Sequence, residues 1–419
     1  MAVSARSSSP PSEGASARMK TPLLMITELF LPTKGGTAVS FDDDFRRLGG
    51  KEVHVITGDV PGAVEFDRTH PNTIHRIKLK RVPWLKPESL LIYVKLLGRA
   101  ALLVATRPFI AIFAGRVLPE GFIAWLIARL SRRPVLVYAH GEELTNWGRG
   151  RKFALMRFVF RHADAVLSNS DFTRDTLAGL LDVDPGRIAV VYPTVDEERF
   201  HPGIPGTGPR AQLGLKPGEH LILSVGRLQR RKGFDTLVRT LPLLHAQGIE
   251  AHFALIGIGD DRTYLEQLAS RLGVSARTHL LGHVGYEDLP RWYAACDVFA
   301  MPNRDIDGDT EGFGLVFLEA ASAGKPALAG LAGGTASAVI DGVTGLRVDG
   351  EQIDAVVAGL ARLLLHPSEA QQMGLNARRR VLENFIHQRR VDELRELALR
   401  GRYRKEKRAG GNPSGSSVA

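Results

Sequence analysis

Residues 303–325 read N-R-D-I-D-G-D-T-E-G-F-G-L-V-F-L-E-A-A-S-A-G-K. A polar, acidic loop gives way to an apolar helix with one charge, Glu319, set between Phe317-Leu318 and Ala320-Ala321. Gly312 and Gly314 mark the passage from loop to helix, and Gly324 followed by Pro326 closes it. A carboxylate in so apolar a helix is costly to bury, which predicts a partner for it. Glu311 lies eight residues earlier, just before the helix. A helix start whose amides are freed by glycine favours an anionic ligand, phosphate above all. Two carboxylates beside such a site can hold hydroxyls on either side of a diphosphate, which describes a nucleotide-sugar. The same two glutamates also suit the acid and base of glycoside hydrolysis, so the rest of the chain has to decide.

Working outward, 419 residues with 44% apolar content predict two domains with substantial cores. The net charge is +10, and it is uneven. Residues 1–200 hold 28 Lys+Arg against 21 Asp+Glu, and 201–419 hold 27 against 24. Anionic membrane, nucleic acid and phosphorylated small molecules are all compatible with this bias. The single cysteine, Cys296, excludes a disulfide framework or cysteine metal cluster and fits a reducing compartment. Residues 1–20 lack an apolar core and read as a disordered leader, not a signal peptide. The apolar run from Leu90 to Gly115 is broken by Lys95, Arg99 and Arg107, which argues against a membrane span. The basic, then Gly/Ser-rich stretch 401–419 reads as a disordered tail.

Short apolar strands alternate with helices on both sides of a Pro/Gly-rich segment. Before it come strands at 23–28, 53–57, 110–114, 135–139, 165–168 and 188–191. After it come strands at 221–225, 252–256, 279–281, 298–301, 327–330 and 345–348. Such runs predict parallel sheets covered on both faces. The organisation is therefore α/β: two doubly wound, Rossmann-like domains at 21–195 and 210–384, facing across a cleft. A linker at 196–209 joins them, and a helix at 385–400 is placed to pack back on the first domain. The cleft is the natural site.

Candidate site residues cluster at strand ends. Gly35 and Gly36 follow the first strand, either as a phosphate loop or as a plain tight turn. His140 ends the strand V-L-V-Y-A, where ligands collect in parallel sheets, although a structural hydrogen bond explains it as well. Gly226 and Arg227 end another strand, and Lys232 follows five residues on. Arg supplies a planar fork and Lys a mobile charge for a diphosphate, while Arg230 and Arg231 read as a solvated charge run. Gly257-Ile-Gly259 reads as a turn. Asp305, Asp307 and Asp309 fail the calcium-loop spacing and read as loop polarity, with no metal expected. Asp42-Asp43-Asp44 read as a solvated helix face. The stretch from Arg76 through Lys78, Lys80 and Arg81 to Trp84 alternates cations with apolar residues. It reads either as an exposed strand edge or as a patch for anionic lipid.

Over residues 22–400 the chain resembles the GT-B-fold retaining glycosyltransferases of family GT4. The resemblance rests first on Glu311-Gly-Phe-Gly-Leu-Val-Phe-Leu-Glu319, the family's E-x7-E motif. V-G-R-L followed by K-G at 225–233, the H-G-E-E start at His140, S-N-S at 168–170 and G-V-T-G-L at 342–346 support it. The acid loop before Glu311 is similar to that of bacterial phosphatidylinositol mannosyltransferases. The resemblance implies that Glu319 holds the ribose, Glu311 the donor sugar, and Arg227 with Lys232 the diphosphate. It implies amide contacts at Gly36, Phe313, Gly314 and Leu315, and His140 beside the transferred sugar. It further implies retention of anomeric configuration, no metal or other cofactor, and a leaving phosphate that helps deprotonate the acceptor. One departure stands out: where the family often has G-G-x-P-E/D, this chain has Gly333-Gly334-Thr335-Ala336-Ser337.

The expectation is transfer of a hexose from a UDP- or GDP-sugar to a hydroxyl of a lipid-linked or envelope-glycan acceptor. Peripheral contact with anionic membrane at the inner, cytoplasmic face is expected, and nucleic acid is not. A sugar-nucleotide epimerase of the same architecture and a non-catalytic sugar-nucleotide-binding protein are the alternatives.

Overall fold

The computed structural model describes residues 22–33, 35–79, 90–141, 144 and 150–409, with backbone alone for 404–409. The first sheet contains β1 (Leu23–Ile26), β2 (Val53–Gly58), β3 (Thr73–Ile77), β4 (Ala111–Ala114), β5 (Val135–Ala139), β6 (Ala165–Ser168) and β7 (Ile188–Val190). Its order is β3-β2-β1-β4-β5-β6-β7. The second contains β8 (His220–Val225), β9 (Ala251–Ile256), β10 (Thr278–Gly282), β11 (Val298–Met301), β12 (Ala327–Gly330) and β13 (Gly345–Val348), in the order β10-β9-β8-β11-β12-β13. Every pairing is parallel. Strand order therefore reverses beside β1 in one sheet and beside β8 in the other. The crevices beyond the carboxyl ends at these reversals are where open α/β sheets bind ligands.

The helices are α1 (Gly36–Leu48), α2 (Ala63–Thr69), α3 (Leu90–Thr106), α4 (Phe122–Ser131), α5 (Arg151–His162) and α6 (Asp171–Leu181) in the first domain. Then come α7 (Thr207–Gln212), α8 (Phe234–Ala246), α9 (Arg262–Arg271), α10 (Leu289–Ala295), α11 (Leu315–Ser322), α12 (Thr335–Ala338), α13 (Ile353–Leu365), α14 (Pro367–Asn384) and α15 (His387–Ala409). Strand side chains alternate between faces, so β1 feeds two cores. Leu24 and Ile26 pack with Ile123, Ile127 and Phe160, while Leu23 and Met25 pack with Phe41, Phe45 and Phe113. The second domain has one continuous core that joins Phe253, Phe299, Phe317 and Leu328.

Four expectations need correction. Residues 401–409 continue α15 as helix and are not a disordered tail, because the buried positions Val391, Leu394 and Ala398 anchor the helix on the first domain. The chain enters α7 at Thr207, inside the expected linker. The Asp42–Asp44 run is not a solvated face. Asp42 is buried against His70 at 2.7 Å, and Asp44 is buried against Arg390 of α15 at 2.7 Å. Finally, Arg76 is not a lipid contact: in β3 it holds Asp67 at 2.8 and 3.0 Å and donates to the carbonyls of Gly58 and Leu31. Lys78 is exposed, and its own carbonyl accepts from Lys95. Lys80, Arg81 and Trp84 lie outside the described residues.

Candidate active site

A cavity of about 1710 Å³ lies between the domains. From the first domain it is lined by Glu28, Gly35 and Gly36 after β1, Arg116 after β4, His140 after β5 and Asn169 after β6. From the second come Gly226, Arg227, Arg231 and Lys232 after β8, and Glu311, Gly312, Phe313, Gly314 and Leu315 leading into α11. Both switch points therefore supply walls of the same cleft.

Glu311 sits at the centre of the charge network. Lys232 Nζ donates a short hydrogen bond to its Oε2, and Arg231 Nη1 reaches the same oxygen at 3.0 Å. Burial raises the Glu311 pKa, but the charges of Lys232 and Arg231, with their hydrogen bonds, outweigh burial and hold it below the ordinary value. Arg231 also contacts Asp309 at 3.2 Å and is buried, so it does not belong to a solvated run. Tandem cations mark a surface strip by composition alone, and only the turn Arg230–Lys232 aims the middle one inward. Arg230 is exposed, as expected, lying over the Tyr264 ring at 3.3 Å with Asp261 at 3.1 Å. Arg227 is exposed on the cleft wall. The aspartate loop folds as a tight turn, with Asp307 at φ 53° and the Gly308 amide donating to Asp305 at 2.8 Å.

Glu319 lies one turn into α11 and does not line the cavity. Its predicted partner is Tyr293, whose hydroxyl donates to Oε2 at 2.5 Å. Burial pushes the Glu319 pKa up to about 7, only partly offset by that bond. The two glutamates of the motif thus differ: two cations favour the ionised form of Glu311, and burial favours the protonated form of Glu319.

The first domain meets the second at the start of α11. Gly314, at φ 89°, makes the left-handed turn that opens the helix. Gly312 faces the backbone of His140, where an added Cβ would lie 2.3 Å from the carbonyl oxygen. That oxygen accepts from Asn169 Nδ2 at 3.0 Å, and His140 Nε2 donates to the Gly115 carbonyl at 2.8 Å. The imidazole is thereby fixed in orientation at the cleft wall. Gly36 approaches Leu315 from the other side. Ser337, at the position where the resemblance predicts an acid, donates to Asp171 Oδ2 at 3.0 Å and accepts from the Asp171 amide at 3.1 Å. Tyr192 donates to the same carboxylate at 2.6 Å. An acid at 337 would face Asp171, so the departure is matched by a neutral cross-domain contact.

Sequence reasoning missed three cleft groups. Arg231 was hidden among its neighbours. Glu28 and Arg116 each end a strand, a positional signal equal to that of His140. Glu120 is also unexpected: it is fully buried, its Oε1 accepts from the Glu28 amide at 2.9 Å, and its Oε2 has no hydrogen-bond partner among the described residues. Burial and the nearby charge of Glu28 push its pKa up to about 7.

Two Rossmann-like domains that close around cations, helix-start amides and a carboxylate define the class of GT-B glycosyltransferases. Residues 35–199 match the model for Glycosyltransferase Family 4, and residues 209–380 match that for Glycosyl transferases group 1. The chain belongs to this GT4, group 1 family of glycosyltransferases. It is 31% identical to a GDP-mannose-dependent alpha-(1-6)-phosphatidylinositol monomannoside mannosyltransferase of Mycolicibacterium smegmatis, over 91% of this chain and 98% of that protein. It is 37% identical to a D-inositol 3-phosphate glycosyltransferase of Actinosynnema mirum, over 52% of this chain and 53% of that one. Among solved structures, Anabaena HepE in complex with UDP and glucose superposes with a TM-score of 0.74 at 20% identity, covering 89% of this chain and 98% of that one. That likeness carries the fold alone.

Proposed function

We propose that the protein transfers a hexose, with retention, from a UDP- or GDP-sugar to a hydroxyl of a lipid-linked acceptor, without a metal. The observation that carries this reading is the convergence of Arg227, Arg231 and Lys232 with the amides before α11 on one wall of the cleft. In the reaction, the bond from the anomeric carbon to the diphosphate oxygen breaks and a bond to the acceptor oxygen forms. The acceptor proton passes to the leaving diphosphate. Negative charge grows on that diphosphate, and preorganised cations and amides stabilise it. Glu311 is read as the group that holds donor-sugar hydroxyls once the diphosphate takes over its cations. Glu319, with Tyr293, holds the ribose, and His140 lies beside the transferred sugar. Gly35, Gly36, Gly226, Phe313, Gly314 and Leu315 line the donor's path.

The relatives named as phosphatidylinositol monomannoside mannosyltransferases support GDP-mannose as the first donor to try and a glycophospholipid as the acceptor class. Among the described residues, no helix is long and apolar enough to cross a membrane. Exposed Leu91, Val94 and Leu102 on α3, with the positive first half of the chain, support peripheral contact with an anionic inner membrane face. The experiment is a melting-temperature panel of UDP, GDP and their sugars, followed by turnover with a glycolipid extract in EDTA. A rise with one nucleotide series and EDTA-insensitive transfer is expected. Epimerised nucleotide-sugar without acceptor, or an absolute need for a divalent ion, overturns the proposal.

A further inference from the structure

The cleft is larger than a donor requires. Small-molecule pockets are typically about 300–1,000 Å³, and this one is about 1710 Å³. The excess lies on the first domain and changes in character. Away from Glu311 and His140 the wall is formed by Tyr93 and Leu97 of α3, Leu118 before α4, Phe122 and Leu126 of α4, and Leu155 of α5. Leu90 and Val94 of α3 line the cavity while remaining 43% and 57% exposed. The apolar space therefore opens to the surface along α3, at the exposed apolar strip of that helix. Arg116, Arg151 and Lys152 line the same cavity, giving the apolar compartment a cationic edge.

We propose that this compartment takes one alkyl chain of the acceptor, with the acceptor's anionic group at Arg116, Arg151 and Lys152 and its hydroxyl toward Gly312 and His140. The proposal deepens the lipid-acceptor reading and rests on it. An apolar wall on the first domain is not needed by a donor whose diphosphate is proposed to lie on the second. It suits a hydrocarbon chain, whose burial is favourable per unit of area and without directional demands. The cationic edge fits a phosphate-bearing amphiphile better than a neutral one. Drawing one chain out of the bilayer fixes the head group's depth, and thus which hydroxyl meets the donor. That makes the compartment a ruler for acceptor chain length.

The test uses n-alkyl phosphates of increasing length, below their micelle concentrations, titrated calorimetrically into the full chain. Each added methylene should tighten binding about fourfold, the ~0.8 kcal/mol of a buried methylene at ~1.4 kcal/mol per tenfold, until the compartment is full and affinity levels off. Leu126→Trp should bring the plateau to shorter chains and weaken dodecyl phosphate at least tenfold. Leu126→Ala should move the plateau to longer chains. Both should keep the wild-type melting shift with the nucleoside diphosphate. Affinity independent of chain length, or the same plateau in all three proteins, overturns the proposal. Failure of wild type to bind any nucleoside diphosphate would instead sink the glycosyl-transfer reading, and the alkyl series would still report on the compartment by itself.

Discussion

Gly312→Ala separates domain closure from donor binding. Gly312 lies outside the left-handed φ region, so alanine is not strained there, but its methyl carbon would stand 2.3 Å from the His140 carbonyl oxygen and 3.2 Å from Asn169 Nδ2. Ordinary contact begins near 3.4 Å, so the loop and His140 must part by about 1 Å. His140 cannot yield alone, because its ring is tied to Gly115 and its carbonyl to Asn169. The clash is relieved by opening the cleft, since domain interfaces are softer than cores. A misplacement of about 1 Å at a reaction site costs on the order of 100-fold in rate, or about 2.7 kcal/mol. Steady-state kinetics with donor and acceptor should show kcat/KM lowered about that much. Nucleoside diphosphate affinity, measured by calorimetry, should change less than about threefold, and the melting temperature should hold. A variant with wild-type kcat/KM would refute the claim that this contact sets the reacting geometry.

Removing the Arg390 guanidinium (Arg390→Met) leaves Asp44 of α1 buried without its partner, where burial already holds its pKa up at about 6 even with Arg390 present. Breaking a buried pair costs about 3–5 kcal/mol, so the melting temperature should drop and limited proteolysis should cut α15 first. Glu120 is the reverse of an ordinary acid: its folded pKa of about 7 lies above the ordinary 4.5. The stability it contributes is therefore present below 4.5 and lost as pH rises through 7. Glu120→Gln should flatten the fall in melting temperature between pH 5 and pH 8, and an unchanged slope would count against the assignment. His75 shows the opposite sign. Burial, then the charge of Arg99, holds it down to about 4, so folding weakens as pH falls from 6.5 towards 4. His75→Gln should reduce that acid sensitivity in a thermal scan across pH.

The fold was legible because both of its periodicities are strong. Buried parallel strands such as β5, V-L-V-Y-A, carry no polar residue, and the helices between them are amphipathic. The E-x7-E stretch gave the cleft its position. What the sequence did not disclose was pairing over long separations. Asp44 and Arg390 are 346 residues apart, and nothing local distinguishes Asp44 from Asp43, which faces Arg47 four residues on. Arg231 looked like its neighbours because a charge run has no visible inner face until the turn is built. β3 surfaced only as the strand-edge alternative at Arg76, because its residues are half-buried at a sheet edge, which leaves no continuous apolar run.

The opposite pKa shifts of Glu311 and Glu319 bear on how the motif works. In glycoside hydrolysis a raised and a lowered carboxyl would be acid and base for the same bond. Here the lowered one, Glu311, holds the two cations that a diphosphate requires. The raised one, Glu319, accepts from Tyr293 one turn further along α11, where the proposed function puts the ribose, so the two do not act on one bond. Glu311 thus stands to these cations as an anion of the chain's own. Under the proposed function, donor binding is an exchange in which a diphosphate takes Arg231 and Lys232 and frees Glu311 to accept sugar hydroxyls. A nucleoside offers no charge for the same cations, so it does not drive the exchange. On that reading Glu311 is released to the sugar only when the group that must leave is in place, which ties sugar recognition to the presence of its leaving group.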